Sequence, residues 1–340
     1  MKKIIIVLLL LIPIKVYGIS AQSAILMDTD NNIILYEKNV NEVRSVASIS
    51  KIMTAILAIE SGKLDDVVTI GDEIDKAYGS GIYIRKGEQL TLRDLVYGLM
   101  LRSGNDAALA IAHYVGGDVD NFVELMNNKA REIGMKNTTF NNPSGLDEDK
   151  GNYSTAYDMA KLASYAIKND EFKKITGTKK YKLKTNMNAY IWNNKNKMLS
   201  LYKYSIGGKT GYTEIAKRTL VSYATKDNTN LVVVTLNDGN DWADHEYLFE
   251  YGFNNYRNYT ILKKGVVNIY NENYYKHYTL YVNNDFNYLF SKNLTTNVVI
   301  KYRLTKNRNI KTGDIVGDAY IYLGDKEIHK EPIYIRAKDK

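Results

Sequence analysis

The 340-residue sequence contains no cysteine, and this absence excludes several kinds of protein. Disulfide-stabilised folds, thiolate metal sites, cysteine nucleophiles and lipid-modified cysteine anchors all require that residue. Histidine is also scarce, and the four that occur lack the spacing of metal ligands: His113, His245, His277 and His329. The chain has only three prolines and no G-x-S-x-G elbow of a hydrolase. We therefore predict no metal and no cofactor, and a fold that is stabilised by its core alone.

The charged residues number 46 basic and 38 acidic, which gives a net charge of +8 at pH 7. A basic protein can bind nucleic acid, an anionic cell wall or an anionic membrane surface. The basic residues are spread along the sequence without a dense cluster, and this distribution argues against nucleic acid as a partner.

Residues 1–18 have the pattern of a secretory signal peptide. Lys2 and Lys3 form a basic start, residues 4–14 form an apolar core, and Val16-Tyr17-Gly18 offers a cleavage site. The apolar run is too short to span a bilayer comfortably, although an uncleaved anchor is the alternative. We expect an exported protein that acts outside the cytoplasm, in the cell envelope or secreted.

Periodicity predicts an α/β (α+β) fold for residues 19–257, with an antiparallel sheet packed by helices. The N-terminal part shows strands at 21–28 and 32–38, then helices at 47–59, 91–101, 106–115, 119–133 and 155–168. After Phe172 the pattern changes to strands, at 205–212, 218–225 and 231–236, with a closing helix at 241–251. Strands from both ends of this segment should share one sheet.

Residues 258–340 have a different pattern, with short alternating runs separated by Asn, Asp and Gly turns. This pattern predicts a small all-β domain. We interpret its many tyrosines as exposed or half-buried strand residues, with stacking on carbohydrate as the alternative.

Ser48 and Lys51 stand three residues apart in a strongly apolar helix, so that both side chains lie on one helix face. A serine becomes a nucleophile when a neighbour takes its proton, and burial can lower the pKa of a lysine enough for that role. The same spacing recurs at Ser200 and Lys203. There the pattern predicts a strand, on which the two side chains would point to opposite faces.

Two further motifs follow in order. Ser103-Gly104-Asn105 lies between two predicted helices, and Lys209-Thr210-Gly211 begins a predicted strand whose glycines let a ligand approach the backbone. S-x-x-K, S-x-N and K-T-G together are typical of β-lactamases and penicillin-binding proteins.

A second Lys-Thr-Gly at residues 311–313 is predicted to be a hairpin turn. A P-loop is excluded because Lys203 occupies the position of its first glycine.

The chain resembles the D-alanyl-D-alanine carboxypeptidases, which are low-molecular-mass penicillin-binding proteins of the serine D,D-peptidase family. The stretches that carry the resemblance are residues 47–54, 103–108, 142–146, 154–160 and 208–213. It is strong over residues 20–256 and weaker beyond them. The resemblance implies a β-lactamase/D,D-peptidase-like domain, followed by the small all-β domain.

The resemblance also implies catalytic roles. Ser48 would attack the carbonyl of the penultimate D-alanine, Lys51 would accept the proton of its hydroxyl, and Ser103 would relay protons to the leaving amine. Water would then hydrolyse the acyl-enzyme and release D-alanine.

Substrate-binding roles follow from the same resemblance. Asn105 would hold an amide carbonyl of the substrate, Lys209 would supply positive charge, and Thr210 would bind the terminal carboxylate. Gly211 belongs to the third motif, and the backbone N–H groups of Ser48 and Tyr212 would form the oxyanion hole.

The implied partners are peptidoglycan stem peptides that end in D-Ala-D-Ala, with β-lactams as covalent inhibitors.

Two departures from the family pattern stand out. Lys217 occupies a position where relatives often carry glycine, and the chain ends in a predicted strand where anchored members carry a basic amphipathic helix. The second departure argues against membrane attachment through the C-terminus.

Three alternatives to the carboxypeptidase remain open from the sequence. A D,D-endopeptidase would cut cross-links with the same residues. A class A β-lactamase needs a glutamate that activates water, and the nearest E-x-x-L-N match, which starts at Glu124, fails at Asn127. An inactive wall-binding protein would keep the fold without the chemistry.

Overall fold

The computed structural model describes residues 18–147, 150–270, 272–293, 297–307 and 309–338. All but the last residue of the predicted signal peptide (1–18) lies outside the described residues. The α-helices are α1 (Lys51–Glu60), α2 (Leu92–Arg102), α3 (Asn105–Gly116), α4 (Val119–Ile133), α5 (Ala156–Ala166), α6 (Asp170–Gly177), α7 (Met198–Leu201) and α8 (Asp241–Asn255). Short 3-10 helices span Ala47–Ser50 and Asp72–Lys76.

The strands of the N-terminal part are β1 (Ser23–Asp28), β2 (Ile34–Lys38), β3 (Arg44–Ser45), β4 (Val67–Thr69), β5 (Gln89–Thr91), β6 (Tyr153–Ser154), β7 (Lys180–Lys184), β8 (Ala189–Asn193), β9 (Ser205–Thr213), β10 (Lys217–Lys226) and β11 (Thr229–Leu236). Those of the C-terminal part are β12 (Tyr256–Leu262), β13 (Gly265–Val266), β14 (Tyr278–Val282), β15 (Phe286–Ser291), β16 (Val298–Leu304), β17 (Ile315–Leu323) and β18 (Lys326–Ala337).

The central sheet has the antiparallel order β2-β1-β11-β10-β9. Its strands come from both ends of the segment, as the sequence predicts. Every residue of β1 is buried, because helices cover both faces of the sheet. Ile25 and Met27 point into one hydrophobic core with α1 to α6, whereas Ala24 and Leu26 point into a second core with α8. The predicted α/β (α+β) class is confirmed, and β9 forms one edge of the sheet.

The helix starts are set by polar side chains that accept hydrogen bonds from free backbone N–H groups. Thr91 and Asp94 form a capping box at the start of α2, and Thr155 caps α5. The bounds of α4 agree with the predicted helix 119–133. Gly134 ends that helix in the left-handed conformation.

The C-terminal part has its own core and its own five-stranded sheet, in the order β13-β14-β18-β17-β16. The ribbon of β12 and β15 contributes Leu262 and Phe286 to this core. The prediction of an all-β C-terminal region is confirmed for its described residues.

Some predicted elements differ from the structure. Helix α6 (residues 170–177) was not predicted. It begins where the Asn169 side chain caps the backbone N–H groups of Glu171 and Phe172. Ser200 lies in the one-turn helix α7, not in a strand, but both Ser200 and Lys203 are exposed and form no buried pair. The patterns also missed strands β12 and β15.

Candidate active site

Ser48 lies in the 3-10 helix Ala47–Ser50, directly before α1. The preceding Ala47 has a φ of +48°, which is an uncommon conformation for a residue with a side chain. Ser48 itself is half-buried. The predicted nucleophile therefore stands on a tight turn at the N-terminus of a buried helix.

Lys51 is the first residue of α1, and its side chain is completely buried. Its Nζ atom lies 3.0 Å from the Ser48 hydroxyl oxygen and 2.7 Å from Oδ1 of Asn105. The amine also contacts the backbone carbonyl oxygen of Ser144. One nitrogen thus connects the first two predicted motifs.

Burial lowers the pKa of Lys51 well below its ordinary value, and the positive charges of Lys209 and Lys195 lower this pKa further. A neutral amine has two N–H donors and one lone pair. The oxygens of Asn105 and Ser144 can only accept, so they take the two N–H groups. The lone pair is then left for the Ser48 hydroxyl, which is the geometry of a general base.

Ser103 and Asn105 come from the junction between α2 and α3. Ser103 ends α2 with a φ of +64°, and Asn105 begins α3. Both side chains are buried. The amide nitrogen of Asn105 donates to the carbonyl of Tyr78 at 2.6 Å, which fixes the orientation of the side chain.

Lys209 lies on the edge strand β9 and is also buried. Its amine donates to the Ser103 hydroxyl at 3.0 Å and to the carbonyl of Thr210 at 2.6 Å. Burial lowers the pKa of Lys209 to about 7, and the charge of Lys195 acts in the same direction. Ser103 therefore lies against an amine that changes its charge near neutral pH.

Strand β9 passes very close to the turn that carries Ser48. A Cβ atom at Gly211 would lie 3.0 Å from the backbone nitrogen of Ser48 and would overlap the hydroxyl of Thr219. Glycine at this position allows the third motif to pack directly against the backbone of Ser48.

The segment 142–147, which we call the strap, crosses beneath these residues. The Pro143 carbonyl accepts from the Thr54 hydroxyl at 2.7 Å, and the next carbonyl, that of Ser144, contacts Lys51. Gly145 has a φ of +79° and leaves no room for a Cβ beside the Ala47 carbonyl. The Asp147 carboxylate accepts from the hydroxyls of Ser45 and Thr213. The strap therefore links the segments on either side of Ser48 to the end of β9.

An open cavity of about 330 Å³ lies over this arrangement. It is lined by Ser48, Ser80, Ser103, Lys195, Thr210, Gly211, Tyr212, Arg218, Asp241 and Trp242. The predicted residues from all three motifs thus meet around one space, with Lys51, Asn105 and Lys209 in contact with its walls or with one another.

The sequence patterns did not identify several residues of the cavity. Lys195 donates to the Ser80 hydroxyl at 3.3 Å, and burial lowers its own pKa. Arg218 pairs with Asp241 and lies over the ring of Trp242 at 5.5 Å. Lys195 lies in a loop, Arg218 in β10 and Asp241 in α8. None of them belongs to a motif, so only the fold brings them to the cavity.

Comparison with known proteins agrees with this geometry. The profile of the D-alanyl-D-alanine carboxypeptidase family matches residues 13–240, which is more than half of the chain. The chain belongs to the D-alanyl-D-alanine carboxypeptidase family. The profile of the C-terminal domain of penicillin-binding protein 5 matches residues 256–340.

Similar proteins include members of this family from several bacteria. The D-alanyl-D-alanine carboxypeptidase DacF of Bacillus subtilis is 36% identical over 72% of this chain, and the match covers 65% of that protein. DacC of Escherichia coli is 29% identical over 94% of this chain and 84% of its own length. Penicillin-binding protein 5 of Haemophilus influenzae has a solved structure that matches with a TM-score of 0.75 and 28% identity, over 94% of this chain and 98% of that one.

The described residues contain no group of three or more His, Asp or Glu side chains that could hold a metal ion. Among the same residues, no helix is long and apolar enough to cross a bilayer.

Proposed function

We propose that this protein is a serine-type D-Ala-D-Ala carboxypeptidase. It removes the terminal D-alanine from peptidoglycan stem pentapeptides through an acyl-enzyme on Ser48. The observation that carries the proposal is the buried Lys51 amine, 3.0 Å from the Ser48 hydroxyl and hydrogen-bonded by acceptors on its other sides.

Acylation begins when the Ser48 oxygen attacks the carbonyl carbon of the penultimate D-alanine. Its proton passes to the Lys51 amine, which is neutral for the reasons of burial and charge given above. The backbone N–H groups of Ser48 and Tyr212 stabilise the oxyanion. Each such donor contributes about 2.7–4 kcal/mol to transition-state stabilisation.

The leaving D-alanine needs a proton on its amine. Ser103 donates this proton and is resupplied through Lys209, whose amine lies 3.0 Å from the Ser103 hydroxyl. A pKa of about 7 for Lys209 suits transfer in either direction at neutral pH. Once Lys51 has passed on the proton that it took from Ser48, water attacks the ester. The neutral Lys51 accepts a proton from this water and returns it to the Ser48 oxygen as the ester bond breaks.

Substrate binding uses the groups that face the cavity. The terminal carboxylate binds the Thr210 hydroxyl, in the positive field of Lys209 and of Arg218. One N–H of Asn105 is held by Tyr78, and its other amide N–H binds a carbonyl of the stem peptide. Gly211 and Tyr212 line the cavity beside Ser48 and hold the backbone of the substrate.

The domain organisation that we propose is a signal peptide at residues 1–18, a catalytic domain at 19–257 and a β-rich domain at 258–340. The protein would be exported and would act on the cell envelope. β-Lactams would be covalent inhibitors, because their ring carbonyl takes the place of the D-Ala-D-Ala carbonyl.

Purified muropeptides test the reaction most simply. The protein is incubated with pentapeptide monomers and, separately, with cross-linked dimers. We expect monomers to lose one D-alanine while dimers remain linked. Cleavage of the dimers alone would assign the protein as an endopeptidase, and no cleavage of either would refute the proposal.

A further inference from the structure

The outer face of the C-terminal five-stranded sheet carries an ordered set of cations and tyrosines. We define this cationic face by Lys301 and Arg303 of β16, Tyr320 and Tyr322 of β17, Tyr281 of β14 and Arg336 of β18. The cations are exposed and the tyrosines half-buried. These residues are distant in sequence, so no basic cluster is visible before the chain folds.

The strand register explains why they share one face. Lys301 is paired with Tyr320 across β16 and β17, and side chains two residues apart on a strand point to the same side. The alternate residues Ile321, Ile333 and Ile335 are buried in the core beneath. One side of the sheet is therefore apolar and covered, and the other is basic and open.

Aromatic rings hold the cations in place. Lys301 lies 4.8 Å from the ring centre of Tyr322, Arg303 lies 4.7 Å from that of Tyr320, and Arg336 lies 5.7 Å from that of Tyr281. Cation–π contacts of this kind restrict long side chains. Binding of a ligand to these cations therefore costs less side-chain conformational entropy than binding to unrestrained side chains would cost.

Two acids share this face. Asp318 is the cross-strand partner of Arg303 but forms its ion pair with Lys330, at 3.1 Å, and Glu327 accepts from the Tyr322 hydroxyl. By contrast, no carboxylate in the described part of the chain pairs with Lys301, Arg303 or Arg336. An open row of fixed, unpaired cations favours a ligand that presents several anionic groups.

We propose that the cationic face binds the carboxylates of peptidoglycan stem peptides and so docks the enzyme on its polymeric substrate. This inference rests on the proposed function, because peptides that end in D-alanine each carry a terminal carboxylate. The catalytic cavity would then work on peptides of a polymer that the C-terminal sheet already holds.

Sedimentation with insoluble peptidoglycan tests the inference. The polymer is first treated with hydrofluoric acid to remove phosphate-containing polymers, and the full chain is first acylated with penicillin to block the cavity. We expect the Lys301→Ser/Arg303→Ser/Arg336→Ser variant to bind about tenfold more weakly than the parent protein. Binding of the parent should also weaken as salt is raised.

A matched control removes the same charge elsewhere. Lys136, Lys168 and Lys173 are exposed residues of the catalytic part, and the Lys136→Ser/Lys168→Ser/Lys173→Ser variant should bind like the parent. Hydrolysis of a soluble pentapeptide should be unchanged in both variants, which shows that the catalytic part is folded. An unchanged far-UV circular dichroism spectrum shows that the C-terminal sheet is folded as well. The single variant Arg336→Gln should show a smaller loss, of about threefold, and tests the face if the triple variant does not fold.

Equal binding of both triple variants would overturn the inference, as would failure of the parent to sediment. Retention only on vesicles of anionic phospholipid would assign the face to a membrane instead. If penicillin does not acylate the protein, the proposed function fails. The same sedimentation with the Ser48→Ala variant then still tests the face.

Discussion

Lys51 is the residue on which the proposed chemistry depends, and its protonation state distinguishes a general base from a fixed positive charge. Its amine has no carboxylate partner among its contacts, which are Ser48, Asn105 and Ser144. Burial and two neighbouring lysines lower its pKa. A lysine in this environment can accept a proton at neutral pH.

Replacement by arginine separates the two roles. Lys51→Arg keeps a long cationic side chain but cannot lose its proton. We expect penicillin acylation to slow by a factor on the order of 10²–10⁴, measured with a fluorescent penicillin under pre-steady-state conditions. In the parent protein, acylation should decline as the pH falls, because protonation of Lys51 removes the base. Near-normal labelling of Lys51→Arg would contradict this role.

Thr210 offers a second test at the level of one residue. Loss of its hydroxyl in Thr210→Val should lower kcat/KM for a substrate with a free terminal carboxylate by about 10- to 100-fold, since a hydrogen bond to a charged group is lost. The matched substrate carries a terminal amide, and its hydrolysis should change little. An equal loss on both substrates would show that Thr210 does not recognise the carboxylate.

At the scale of elements, the hairpin between β9 and β10 contains a strained residue. Lys217 has a φ of +56°, a backbone conformation that favours glycine. The left-handed conformation costs a residue with a Cβ roughly 1–2 kcal/mol. The chain accepts this strain at the start of β10, opposite Thr213 at the end of the strand that carries Lys209 and Thr210.

Relief of the strain should be measurable. Lys217→Gly should raise the free energy of unfolding by about 0.5–1 kcal/mol, after the greater flexibility of glycine in the unfolded chain is subtracted. Lys217→Ala is the control, because it removes the exposed ion pair with Glu214 but keeps the Cβ. Chemical denaturation of the parent and the two variants measures these free energies. If Lys217→Gly were no more stable than Lys217→Ala, the backbone at Lys217 would not be strained.

Elements with strong local signals could be predicted from the sequence. The capping box of α2 and the periodicity of α4 identified those helices, and the three motifs predicted Ser48, Ser103 and Lys209 as neighbours. The strap and Lys195 could not be assigned roles. Their contributions are a backbone carbonyl in contact with Lys51 and a charge brought in from a loop, and neither depends on a recognisable local pattern.

At the scale of the whole molecule, His245 connects α8 to the central sheet. Its ring is buried and forms hydrogen bonds with the hydroxyls of Ser222 and Thr235. Burial lowers its pKa to about 3. The folded protein therefore keeps this histidine neutral at pH values where the unfolded chain would protonate it.

The sign of the resulting pH dependence follows from proton binding. Between about pH 6.5 and 3 the unfolded chain binds one more proton at this site, so stability falls as the pH falls, by about 1.4 kcal/mol per pH unit. Above pH 6.5 the site contributes no slope. We expect the difference in unfolding free energy between the parent and His245→Gln to shrink from pH 7 to pH 5. If the unfolding free energies of the two proteins changed equally with pH, the prediction that His245 stays neutral in the folded protein would be wrong.

The proposed function depends on an acyl-enzyme that Ser48 forms in the cavity where the three motifs meet, and mass spectrometry of the intact protein after penicillin treatment detects it. Opening of a β-lactam ring releases no leaving group, so we predict a mass increase equal to one whole penicillin. The adduct should persist, map to the peptide that contains Ser48 and be absent from Ser48→Ala. An unchanged mass, or an adduct that also forms on Ser48→Ala, would show that Ser48 is not the acylated residue.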